Sequence, residues 1–234
     1  MASLLDQLLT VIVGTVSTVT RTVNQTISTL EDFFYVKVAG MSFIVLGARQ
    51  VGKTTLIEWL KRNMKSIEGF DPDPTAAGGT AQPDFSSRFD EGNIRMKVRR
   101  DVGGEYAMWD TDWIELFRES KPRGIVFMMD HTDAHLQKDA LNYVMQMLED
   151  EADARKNLKA FFIVVNKSDL WEAETTQEDI LKHYRNEQRR LNSLAERHNF
   201  KWAITSGSLK TGKGIKSAMR EFLNNIRPSP QENK

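Results

Sequence analysis

The 234-residue chain contains no cysteine, which excludes disulfides and thiolate zinc sites and fits a cytoplasmic location. Its four histidines are scattered and do not read as a metal-ligand set. It has no net charge, with 32 Lys and Arg against 32 Asp and Glu, so no nucleic-acid partner is expected beyond what a local basic patch could attract. It also lacks a run of about 18 apolar residues. The nearest approach, "LLDQLLTVIVGTVSTV", is interrupted by Asp6 and Gln7 and diluted by Thr and Ser. No basic residue precedes that stretch, so a secretory signal is not expected. Ala2 stands where N-myristoylation needs glycine.

What is present divides into an N-terminal segment over 1–36, a domain over 40–227 and a tail over 228–234 expected to be disordered. In the domain, apolar runs predict strands at 42–46, 84–89, 94–100, 124–130, 160–166 and 201–205. Amphipathic segments predict helices at about 53–65, 107–119, 134–150, 175–198 and 214–226. This alternation predicts an α/β fold, a mainly parallel six-stranded sheet with helices on both faces. In "DFSSRFDEGNIRMKVRRD" the turn signal Asp90-Glu91-Gly92-Asn93 separates two alternating runs. It predicts a hairpin, and hence one antiparallel edge strand.

Between the strand "SFIVL" and the helix "LIEWL" lies "GARQVGKTT", residues 47 to 55. Gly47 and Gly52 allow the backbone N–H groups from Gln50 through Thr55, Val51 among them, to face a phosphate, and the helix adds its positive N-terminal dipole. Lys53 can reach the outer phosphates, and Thr54 offers a hydroxyl to Mg²⁺. This strand–loop–helix context is that of a P-loop NTPase, and by itself it does not separate ATP from GTP.

The buried strand of "FFIVVNKSDLW" ends at Asn166-Lys167-Ser168-Asp169. A carboxylate at Asp169 can accept from both the N1–H and the exocyclic amine of guanine, a donor pair that adenine lacks. Asn166 would brace the surrounding loops, and the stem of Lys167 would lie along the purine. In "RRDVGGE", Asp101 ends a strand where a carboxylate can hold Mg²⁺ through water, and the N–H of Gly104 can sense a terminal phosphate.

In this order the motifs resemble those of the Ras-like small GTPases. "DVGGE" followed by "MWDTDWIELF", together with "GIVFMMDHTD", resembles the Arf and SRP-receptor-β branch most. The resemblance spans about residues 42 to 227 and implies a regulatory GTPase that binds GTP, GDP and Mg²⁺ and orders two switch segments for an effector. It implies that Ser208, Leu209 and Lys210 of "SLKTGKGI" form the loop that reads guanine O6. It also implies a switch threonine completing the Mg²⁺ shell. "DPDPTAAGGTAQPDF" offers Thr75 and Thr80, with Thr80 favoured for its place before the edge strand; the glycine-rich loop itself is expected to be mobile without ligand.

Two residues depart from the family pattern. Glu105 occupies the place of the glutamine that orients the attacking water. It predicts slow intrinsic hydrolysis, unless the side chain points to solvent and takes no part. Arg49 occupies a phosphate-loop position that family members commonly give to a small residue. It reads as a built-in catalytic arginine, as a block to an activator's arginine, or as a side chain in solvent or paired with a carboxylate. A GTP-holding assembly protein with little hydrolysis is the competing function.

In the N-terminal segment, Leu5, Leu8, Ile12, Val16, Val19, Val23, Ile27, Leu30 and Phe34 follow an eleven-residue period, which predicts one amphipathic helix across 4–34. Many of these residues are β-branched and Gly14 lies inside, so the helix needs a surface. A homo-oligomeric bundle or partner protein is favoured over peripheral membrane contact, because Arg21 is the only base on the polar face. Docking on the chain's own domain is the third option.

Overall fold

The computed structural model describes residues 40–89 and 92–227, so the expected helix over 4–34, the tail over 228–234 and turn residues Asp90 and Glu91 lie outside the described residues. The apolar run at Met41–Leu46 forms β1, followed by the phosphate loop and α1 at Lys53–Lys61. A short strand β2 (Thr80–Ala81) precedes the hairpin β3 (Phe85–Phe89) and β4 (Gly92–Lys97), and another short strand β5 (Arg100–Asp101) follows it. Next come α2 (Ile114–Ser120), β6 (Gly124–Met129), α3 (Ala134–Asp150), α4 (Ala152–Arg155) and β7 (Ala160–Val165). The described chain closes with α5 (Ser168–Trp171), α6 (Gln177–Leu181), α7 (Arg185–His198), β8 (Lys201–Ser206) and α8 (Ile215–Ile226).

The main sheet has six strands in the order β3-β4-β1-β6-β7-β8. All neighbours are parallel except β3 and β4, which pair antiparallel from Phe85↔Met96 to Phe89↔Gly92. Every residue of "GIVFMM" in β6 and "AFFIVV" in β7 is buried, so both faces of the sheet are covered. On one face Phe222 of α8 meets Phe43 of β1 at 5.5 Å and Phe162 of β7 at 5.4 Å, both edge-on. Helix α3 starts where the Asp133 carboxylate accepts from the N–H of Leu136 at 3.1 Å, capping its first turn.

Four expected elements differ. Helix 53–65 stops at Lys61, because Asn63 and Met64 both take left-handed backbone angles. Strand 94–100 breaks at Arg99, which has φ 54°, and Arg100–Asp101 leaves the main sheet to pair antiparallel with Thr80–Ala81. Helix 107–119 is irregular at its start, with a 3₁₀ turn at Tyr106–Met108 and a π-helical turn at Trp109–Trp113 before α2. Helix 175–198 is broken into α6 and α7 by a 3₁₀ turn at Lys182–Tyr184, whose Tyr184 is buried.

Candidate functional site: the loops at the carboxyl ends of the strands

Because β1, β6, β7 and β8 run parallel, their following loops gather at one end of the sheet, where α/β folds bind ligands. Three of those loops are joined by one side chain. Asn166, at the end of β7, donates through Nδ2 to the carbonyl of Val51 in the phosphate loop at 3.0 Å. Its Oδ1 accepts from the N–H of Leu209, in the loop after β8, at 3.2 Å. Asn166 is buried, so losing either bond would strand a polar group away from water. Gly52 makes this approach feasible: a Cβ there would lie 2.5 Å from Asn166 Nδ2, and its φ of 101° is unfavourable for other residues.

Lys53 is also buried, and its Nζ donates to the carbonyls of Gly47 at 3.0 Å and Ala48 at 2.8 Å. Burial lowers its pKa to about 8, against the opposing pull of the Asp101 and Glu105 carboxylates. Val51 is buried, Thr54 and Thr55 are half-buried in the first turn of α1, and Arg49 and Gln50 are exposed.

Beside Thr54 lies a cluster of oxygens. Its hydroxyl donates to Asp101 Oδ2 at 2.6 Å, and Thr75 Oγ1 lies 3.4 Å from both Thr54 Oγ1 and Asp101 Oδ2. The other carboxylate oxygen, Asp101 Oδ1, is buried without a hydrogen-bond partner. Desolvation raises the Asp101 pKa, opposed by the Thr54 bond and then by Lys53, Thr75 and Lys61. An unpartnered buried carboxylate oxygen with two hydroxyls nearby is a hard-oxygen donor set that fits Mg²⁺. Thr80, favoured from the sequence, is exposed, and its backbone pairs with Asp101 in the β2–β5 ladder. The hydroxyl brought to the cluster belongs to Thr75. In the glycine-rich loop between them, Gly78 donates its N–H to the buried Asp112 carboxylate at 2.8 Å.

Gly104 is pressed against the phosphate loop, where a Cβ would lie 2.3 Å from Ala48 C and 2.4 Å from Arg49 N. Glu105 follows it, and its carboxylate lies 3.8 Å from the Arg49 guanidinium, with both side chains about half exposed.

In the loop after β7, Lys167 has φ 60° and its Nζ lies 2.6 Å from Asp130 Oδ2. Asp130, at the end of β6, is buried and its Oδ1 accepts from the Thr132 N–H, the Thr132 hydroxyl and Gln137 Nε2 at 2.9, 2.6 and 3.0 Å. Burial alone would raise the Asp130 pKa, but the bonds from Lys167 and Thr132 win and hold it below the ordinary value. Ser168 and Ser208 are buried, Leu209 is buried, and Asp169 and Lys210 are exposed. Asp130, Gln137 and the indoles of Trp109 and Trp113 belong to none of the candidate residues that the motifs single out. The buried aspartate closing the apolar run "GIVFMM" was a signal for the first.

A family model describing the ADP-ribosylation factor (Arf) family matches residues 27–226. The chain belongs to this family. Arf-family proteins are GTP-binding GTPases, bind GTP and GDP, typically with Mg²⁺, and interact with effector proteins. No individual curated protein matches the chain. Its Arf-type sheet carries the mostly parallel order with one antiparallel strand expected from the sequence. Among the described residues no helix is long and apolar enough to cross a membrane.

Proposed function

We propose that this Arf-family chain is a regulatory switch in which guanine nucleotide and Mg²⁺ order the segments around Thr75 and Gly104–Trp113 for a partner protein. The observation that carries the reading is the double bond-making of Asn166, which ties the loop after β1 to the loops after β7 and β8, where the phosphate and guanine motifs fall. Gly47, Gln50, Val51, Gly52, Lys53, Thr54 and Thr55 would hold the phosphates. Lys167 and Asp169, with the Ser208–Lys210 loop, would hold guanine, Lys167 being steadied by Asp130. Thr54, Asp101 and Thr75, which replaces Thr80 as our candidate, would hold the cation, whose charge offsets that of the outer phosphates when bound. Gly104 would receive the terminal phosphate, and Glu105 would face the attacking water.

Glu105, 3.8 Å from Arg49, supports a second reading, a GTP-holding assembly protein that hydrolyses slowly, because a carboxylate can accept from water but cannot also donate to a phosphate oxygen. Purification followed by identification of bound nucleotide, then single-turnover hydrolysis of GTP beside ATP, tests both. Tight ATP binding without preference for GTP would overturn the guanine assignment, and GTP retained without turnover would select the second reading.

A further inference from the structure

The segment "DVGGE" carries two successive glycines at the point where a terminal phosphate would be sensed. Adjacent glycines make a peptide easy to turn over, since neither residue restricts its backbone angles. A sensor built from the Gly104 N–H therefore needs something to hold the peptide that carries it.

Two buried tryptophans do this from one side. The indole N–H of Trp113 donates to the Gly103 carbonyl at 2.8 Å, and that of Trp109 to the Gly104 carbonyl at 3.3 Å. Their rings stack at 5.2 Å, and both pack against Tyr143, at 5.6 Å from Trp109 and 6.2 Å from Trp113. The π-helical turn Trp109–Trp113 carries both rings, and wide turns of this kind often occur at functional sites. A buried indole needs an acceptor, and many carbonyls could serve. These two take consecutive carbonyls of the glycine pair. From the other side, Gly104 abuts the backbone of Ala48 and Arg49.

A peptide unit is planar and trans, so its carbonyl and N–H point in opposite directions. The bond from Trp113 to the Gly103 carbonyl thus fixes the direction of the Gly104 N–H in the same peptide. The bond from Trp109 does the same for the Glu105 N–H. We propose that Trp113, seconded by Trp109, is a positioning residue that presets the Gly104 N–H for a terminal phosphate and so sets the preference for a nucleoside triphosphate over its diphosphate. This rests on the guanine-nucleotide reading above.

The test is Trp113→Phe in the full chain, which keeps an aromatic ring and deletes the donor. Affinities for GDP and for a non-hydrolysable GTP analogue are measured by competition. Loss of one buried hydrogen bond on the sensing peptide is expected to weaken the analogue about tenfold and to leave GDP within about twofold. An equal loss for both nucleotides would reduce Trp113 to a packing role and overturn the proposal. So would an unchanged ratio, or a ratio shifted toward the triphosphate. If Trp113→Phe does not fold, Trp109→Phe decides: freeing the Gly104 carbonyl loosens the residue shared by both peptides, and with the longer bond a shift of about threefold in the same ratio is expected; no shift overturns the proposal. A wild-type chain that binds neither nucleotide would remove the guanine assignment itself and this proposal with it, an outcome distinct from a wild-type preference that survives the substitutions.

Discussion

Arg49 of the phosphate loop and Glu105, the residue after the Gly103–Gly104 pair, face each other with guanidinium and carboxylate 3.8 Å apart. Each departs from the small-GTPase pattern, and each offsets the other's charge. With both about half exposed, the pair contributes little to stability, roughly 0–1 kcal/mol. Arg49→Ala is therefore expected to leave GTP binding intact and to change single-turnover hydrolysis by less than about threefold, well short of the effect of a catalytic arginine. A tenfold loss would make Arg49 an internal finger after all. Glu105→Gln is expected to raise the rate, since an amide can both accept from water and donate to phosphate.

The oxygen cluster gives a choice between two threonines. Thr75→Ala is expected to speed release of bound GTP several-fold with Mg²⁺ present and to have little effect after chelation. Thr80→Ala, whose exposed side chain lies off the cluster, is expected to behave as wild type in both conditions. A reversed pattern in nucleotide-release assays would return the role to Thr80.

Asn166→Ala would strand the Val51 carbonyl and the Leu209 N–H together. Unpaired buried groups of this kind cost about 1–3 kcal/mol each. The expected result is a lower unfolding midpoint and faster release of both GDP and GTP. Unchanged release with lowered stability would confine Asn166 to the fold.

Asp130 supplies a pH test. Its folded pKa lies below its ordinary value of 3.8, so ionised Asp130 stabilises the fold above that value. This contribution is lost as pH falls through the depressed folded pKa. Asp130→Asn should be less stable than wild type at neutral pH, with the gap narrowing as pH falls below about 4 in denaturant titrations. A gap that stays constant with pH would show that packing, and not charge, sets the role of Asp130.

The fully buried strands were the most legible elements. "GIVFMM" and "AFFIVV" are continuous apolar runs closed by Asp130 and Asn166, and both the strand type and the loop after it follow from that pattern. The hairpin was legible from alternation. What the sequence hid depends on contacts far along the chain. The turn of Trp109–Trp113 reads as ordinary amphipathic helix, and its wide winding accompanies indoles reaching back to Gly103 and Gly104. The choice between Thr75 and Thr80 depends on how the loop is held, and part of that hold is the Asp112 carboxylate more than thirty positions away. The break at Lys182–Tyr184 coincides with a buried tyrosine in a segment rich in charge.

Strand β1 joins two poles of the molecule. Its last residue, Leu46, leads into the phosphate loop, and its first, Met41, follows Gly40, where the described residues begin. Six extended residues span roughly 20 Å. The described residues thus enter the sheet at the end of β1 remote from the phosphate loop. That entry point is paired with the β3–β4 hairpin, Met41 against Met96, so any shift of the hairpin along the sheet would be felt where β1 begins as well as at the short β2–β5 ladder beside Thr54.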